Sequence, residues 1–154
     1  MNRSEKETMY ELLLKQQKEL ISGEDHWISI LANSSALLNE TLKNSVFTGY
    51  YLYDGGKLFL GPFQGKVSCT SIQLGRGVCG EAAEKRKTVI IDNVREHENY
   101  ISCDSAAVSE IVVPMCREDK LIGVLDIDSD QMKEYNDLDQ KYLEQYIKII
   151  IKYK

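Results

Sequence analysis

Four cysteines, at positions 69, 79, 103 and 116, and the run Leu125-Asp126-Ile127-Asp128-Ser129 are the parts of this sequence best suited to chemistry. No two cysteines stand at the close C-x-x-C spacing of a structural zinc site, and only His26 and His97 offer imidazole, so no metal is expected. That leaves inert core thiols or redox-active ones. Cys103 lies in Ile101-Ser102-Cys103-Asp104, within a stretch from 93 to 108 that has no clear hydrophobic periodicity. A loop of that length in a compact domain is more often functional than decorative, and a thiol there has little core to join. A reactive thiol needs a lowered pKa, yet the neighbours of Cys103 are acids, so activation by a fixed cation is not evident and substrate-assisted proton transfer is one way around this. Cys79 follows Gly75-Arg76-Gly77-Val78 at the start of a predicted short helix, where backbone N–H groups favour a thiolate. Cys69 and Cys116 fall in strand-like segments and read as small core residues.

The carboxylates have two readings. Side chains alternate along a strand, so Asp126 and Asp128 share one face. They lie in water if the strand is half exposed. If instead a three-residue turn at Glu118-Asp119-Lys120 joins this strand to the preceding Ser109-Glu110-Ile111-Val112-Val113-Pro114, Glu110 faces Asp128 and Val112 faces Asp126. Three carboxylates then lie together, which is costly unless a cation such as an α-ammonium group binds or a proton is shared. A two-residue turn would put Glu110 on the other face. Phe47, Tyr50 and Tyr51 read as core aromatics. Nucleophile-elbow, H-E-x-x-H and dinucleotide motifs are absent from the sequence, so the case for an enzyme rests on thiols and carboxylates.

The elements that must hold these groups follow from patterning. Ser4-x-x-Glu7 fits a capping box and predicts a helix over about 5–22. A second helix is expected from about Asp25 to Asn44. The β-branched and aromatic run 46–53, the turn Asp54-Gly55-Gly56 and Leu58-Phe59-Leu60 predict a hairpin broken at Gly61-Pro62, with a third strand from about Lys66. A short helix at 78–86 and a buried strand at 88–92 precede the long loop. Strands at 109–117 and 120–129 and a final helix from about Asn136 complete the order. Tight turns imply antiparallel pairing, and helices near the chain ends imply that they cover one face or edge of a sheet of about six strands, an α+β fold. We expect one domain spanning 1–154, with the first helix packed on it or on a second subunit.

With 43% hydrophobic and 28% charged residues in 154, the composition is that of an ordinary globular domain. A formal net charge of −5 with scattered lysines argues against nucleic acid as a partner. The N-terminal residues lack the apolar run of a signal peptide, and no apolar stretch approaches the roughly 20 residues of a membrane span. A cytoplasmic protein without membrane contact is expected, in a compartment that disfavours static disulfides.

At these residues the sequence resembles the free methionine-(R)-sulfoxide reductases, a family built on a single GAF domain. The likeness is carried by Gly61-Pro62-Phe63-Gln64-Gly65, Cys69, Gly75-Arg76-Gly77-Val78-Cys79-Gly80, Ile101-Ser102-Cys103-Asp104, Ser109-Glu110-Ile111-Val112-Val113-Pro114 and Gly123-Val124-Leu125-Asp126-Ile127-Asp128-Ser129, in that order. The resemblance implies Cys103 as the nucleophile on the sulfoxide sulfur, Cys69 as the thiol that resolves its sulfenic acid into a disulfide, and Cys79 as a secondary thiol. It further implies that Glu110, Asp126 and Asp128 grip the substrate ammonium, with Glu110 a candidate proton donor, and that Phe47 and Tyr51 wall the pocket. Family members usually carry Trp where this sequence has Phe47. No bound cofactor is implied; a thioredoxin-type dithiol would regenerate the enzyme, and a homodimer is expected. Cys116 is outside the family set. A non-catalytic GAF sensor, or a thiol switch using Cys69 and Cys103, are the competing readings.

Overall fold

The computed structural model describes residues 1–103 and 106–154; Asp104, the last residue of the Cys103 motif, lies outside them. Helix α1 spans Arg3–Ile21 and α2 Trp27–Thr41; strands β1 (Ser45–Asp54), β2 (Lys57–Gly65) and β3 (Ser71–Gln73) follow. Then come α3 (Gly77–Lys85), β4 (Val89–Ile91), a 3-10 turn at Val94–Glu96, β5 (Ser109–Arg117), β6 (Lys120–Ser129) and α4 (Asp137–Ile151). The six strands form one antiparallel sheet in the order β3-β2-β1-β6-β5-β4. Among the described residues no helix is long and apolar enough to cross a membrane.

Helix α1 begins earlier than Ser4-x-x-Glu7 predicts. Asn2 and Glu5 have the same spacing and form the capping box themselves: the Asn2 side chain accepts from the Glu5 N–H at 2.8 Å and Glu5 accepts from the Asn2 N–H at 3.1 Å. Helix α2 is shorter than predicted at both ends. The hairpin stands where Asp54-Gly55-Gly56 places it, because Gly55 (φ 57°) and Gly56 (φ 91°) both adopt the left-handed conformation that a two-residue turn between twisted strands requires. Gly61-Pro62 does not end the strand as expected. β2 runs on to Gly65 with its pairing shifted between Gly49 and Tyr51, an irregularity where proline and its missing N–H are tolerated. The third strand is correspondingly late, leaving 66–70 irregular.

Helices α1, α2 and α4 lie on one face of the sheet, as expected for elements near the chain ends. Their core joins Tyr10, Leu13, Leu31, Leu38, Tyr146 and Ile147 to the sheet residues Tyr50, Ile111, Leu125 and Ile127. Tyr50 is fastened there by a 2.8 Å hydrogen bond with Ser34, and Tyr146 donates to the Ser34 carbonyl at 2.7 Å. Helix α1 is tied to α4 through Asp139, which accepts from Tyr10 at 2.5 Å and pairs with Lys6 at 2.7 Å. Helix α3, in the middle of the chain, is placed differently. It packs on the opposite face, where Val78, Cys79, Ala82 and Ala83 meet Phe47, Tyr51, Val112 and Val124 in a second, smaller core. The candidate residues Cys79, Tyr51 and Phe47 lie on this second face.

Candidate active site

The register between β5 and β6 decides whether the carboxylates meet. The connection is a two-residue turn, Glu118-Asp119, with Arg117 opposite Lys120 and Glu118 at φ 58°, not the three-residue turn expected. Taken alone it would turn Glu110 away. A bulge restores the register: Cys116 pairs Leu121 but Met115 pairs Gly123, so β6 gains one residue. Beyond it Glu110 faces Asp128 and Val112 faces Asp126, as the acidic-cluster reading requires. On the other side, β1 sets Phe47 opposite Asp128 and Gly49 opposite Asp126. A Cβ at Gly49 would lie 2.2 Å from that of Phe63, so glycine there lets Phe63 sit directly across the strand pair and stack on Phe47.

The acids are not in water. Glu110, Asp126 and Asp128 are 6, 5 and 7% exposed. Burial, then the charges of Asp126 and Asp128, hold the Glu110 carboxyl well above the usual carboxylate range, and it shares hydrogen bonds with both. Burial also raises Asp126, opposed by hydrogen bonds with Glu110, Asp128 and Cys79. Three buried acids in one place favour a proton held among them, and Glu110 is the carboxyl raised most strongly toward keeping it. The cluster holds a proton ready and presents negative charge to an incoming cation.

Cys79 corrects its expectation. It is buried in the first turn of α3, but the helix N-terminus does not win: burial, reinforced by Asp126, Glu110 and Asp128, pushes its thiol well above its ordinary value. The thiol stays protonated and hydrogen-bonds to Asp126. Cys69 and Cys103 are joined by a disulfide with Cα atoms 5.2 Å apart, a normal separation for such a bond. Cys69 therefore does not behave as the small core residue its segment suggests. Cys116, half buried near the β5–β6 turn, is a free thiol raised by burial and is remote from the cluster.

Tyr51, Cys79, Cys103, Glu110, Asp126 and Asp128 border a common cavity of about 30 Å³, room enough for ordered water. Tyr51 donates to the Cys69 carbonyl at 2.9 Å, so the Ser68 hydroxyl, also at 2.9 Å, is the donor to Tyr51. This fixes the segment that carries Cys69. Phe47 stacks on Phe63 (5.3 Å) and Tyr51 (6.3 Å) and backs the tyrosine without bordering the cavity. Of the eight residues singled out in the sequence, the structure gathers seven in direct contact with the cavity or its disulfide, and Phe47 behind them.

Sequence reasoning missed what anchors the Cys103 loop. Asn99 accepts from the Gly77 N–H at 3.1 Å and donates to the carbonyls of Gly75 (3.0 Å) and Gly77 (3.3 Å). Gly77 takes φ 64°, and Ile101 packs where its Cβ would be. His97 reaches Glu81 of α3 at 3.0 Å. An asparagine in an aperiodic loop carries no local signal for such a clamp; only the contact with α3 reveals it. Asn99→Ala is expected to slow re-formation of the Cys69–Cys103 disulfide about tenfold, corresponding to ~1.4 kcal/mol. Thiol trapping of reduced protein in a fixed glutathione buffer checks this.

Residues 30–150 match the GAF domain model. The free methionine-R-sulfoxide reductase of Escherichia coli is 41% identical over 147 residues, covering 96% of this chain and 87% of that protein. The chain belongs to the free methionine-R-sulfoxide reductase family of GAF domains. Two solved members of the family superpose closely on this one. Free methionine-R-sulfoxide reductase from Neisseria meningitidis, in complex with its substrate, gives a TM-score of 0.93 at 39% identity, covering 96% of this chain and 89% of that one. The reduced form of fRMsr of Staphylococcus aureus gives 0.90 at 46% identity, covering 94% of each chain. The reductase fold therefore accounts for the six-stranded sheet and its helices.

Proposed function

We propose that this enzyme reduces free L-methionine-(R)-sulfoxide to L-methionine, with Cys103 as nucleophile and no bound cofactor. The observation that carries the reading is a Cys69–Cys103 disulfide closed beside three buried carboxylates. The E. coli and N. meningitidis relatives bear the corresponding name.

In the reduced enzyme the ammonium of the substrate is held by Glu110, Asp126 and Asp128, its charge offsetting the aspartates while Glu110 keeps its proton. Cys103 attacks the sulfoxide sulfur, its thiol proton passing to the carboxylate cluster while Glu110 protonates the oxygen; the hydroxyl then moves to the Cys103 sulfur as the bond between the two sulfurs breaks, and methionine departs leaving Cys103 as a sulfenic acid. Cys69 attacks that sulfur, water leaves, and the disulfide forms. A thioredoxin-type dithiol then exchanges with it, becoming oxidised as both enzyme thiols are restored. Cys79, protonated and hydrogen-bonded to Asp126, is a secondary thiol that keeps that carboxylate oriented. Tyr51, backed by Phe47, forms the apolar wall for the substrate methyl.

With the Cys69–Cys103 disulfide closed beside a small cavity, the structure corresponds to the oxidised form that a dithiol would return to two thiols. The buried carboxylates also explain a preference for the free amino acid, since a peptide nitrogen carries no charge to offset theirs. Exposed Leu12 and Leu20 on α1 support a homodimer built through that helix. The test is to supply free methionine-(R)-sulfoxide and a thioredoxin system and follow reductant consumption, with peptide-bound sulfoxide alongside. Turnover of the free compound alone is expected; a sensor would show no sulfoxide-dependent consumption, and a thiol switch would take one equivalent of reductant and stop.

A further inference from the structure

Cys79 Sγ and one carboxylate oxygen each from Glu110 and Asp126 lie within 4.8 Å of one another, all on buried residues. They come from α3, β5 and β6, elements too far apart in the chain for spacing to announce a metal site. Asp126 is 5% exposed, and its Oδ1, on a residue bordering the cavity, has no hydrogen-bond partner among the described residues. A buried carboxylate oxygen without a donor marks a place where positive charge is missing.

We propose that Cys79, Glu110 and Asp126 form an inhibitory site for a single zinc-like divalent cation. One thiolate and two carboxylates suit Zn²⁺ or Co²⁺, whereas Mg²⁺ and Ca²⁺ take oxygen alone. Tetrahedral bonds of about 2.0–2.3 Å put ligand atoms roughly 3.5 Å apart, so small side-chain rotations complete the set and leave one position open. A cavity of about 30 Å³ beside these groups admits an ion, so the disulfide form can bind metal. On binding, the Cys79 thiol and the Glu110 carboxyl release their protons to solvent, and the dication takes over the neutralisation those protons provide. In the reduced enzyme the ion would occupy the ammonium site and compete with substrate. That consequence rests on the reductase reading; the metal site does not.

The disulfide form makes the test direct, because Cys79 and Cys116 are then the free thiols. Co²⁺ titrated into oxidised protein is expected to produce a thiolate-to-cobalt charge-transfer band that Zn²⁺ abolishes, that persists in Cys116→Ser and that is lost in Cys79→Ser. No band in the wild-type protein, or its loss in Cys116→Ser, overturns the proposal even if Cys79→Ser fails to fold. A band in protein that turns over no sulfoxide leaves the metal site standing and refutes the reductase reading instead.

Discussion

Cys103→Ser is expected to abolish turnover, by about a thousandfold or more, while Cys116→Ser leaves it unchanged. A serine hydroxyl is a far weaker nucleophile toward sulfur and cannot become a sulfenic acid, so the first step has no substitute. Cys69→Ser separates the steps. It should release one methionine per enzyme molecule in a single turnover, then stop with thioredoxin because no disulfide forms for exchange. Rapid-quench amino-acid analysis beside the steady-state assay checks both halves. Equal loss of the first methionine in Cys69→Ser and Cys103→Ser would contradict their division of labour.

Glu110→Gln is expected to lower kcat/KM by about 10²–10⁴ while making the protein more stable at neutral pH. The two effects share one cause. In the folded protein Glu110 is held well above its ordinary range by burial and by Asp126 and Asp128. As pH rises past the ordinary carboxylate range, the unfolded chain gives up this proton while the folded one retains it. The native state then binds more protons than the unfolded, so stability declines with rising pH until the raised folded pKa is passed. Glutamine keeps the shape and a donor to the aspartates but removes this titration. The variant should therefore melt above the wild type at about pH 8, with the difference vanishing toward about pH 4. Each ~1 kcal/mol relieved is worth roughly 2–4 °C in a domain of this size. Melting curves across pH check the stability half. A variant less stable than the wild type at both pH values would contradict a strained acidic cluster.

The same cluster shows how far the sequence could be read. Alternation along 125–129 put Asp126 and Asp128 on one face, and the structure keeps them there because strand periodicity is set by the backbone alone. The position of Glu110 depended on a count across a turn, and that count was met by a different route. The turn has two residues, and a bulge near the start of β6 supplies the third. Bulges answer to packing on both sides of a sheet, which no local pattern encodes. The Asp54-Gly55-Gly56 hairpin was legible because its turn demands two positive φ values and glycine provides them. Cys79 shows the opposite case: its helix start was visible, but the three acids that keep it protonated come from other strands. The Asn99 clamp and the placement of α3 across the sheet are likewise long-range facts. Family likeness supplied the pairing of Cys69 with Cys103, for which the chain itself offered only an aperiodic loop and a thiol.

The central claim, reduction of one epimer of one free amino acid, is tested most directly by chiral amino-acid analysis. The reduced enzyme is given a racemic mixture of free methionine sulfoxide epimers and a thioredoxin system. The expected outcome is complete loss of the R epimer, an equal gain of methionine, and an untouched S epimer. Methionine formed from the S epimer, or none formed at all, would contradict the assignment.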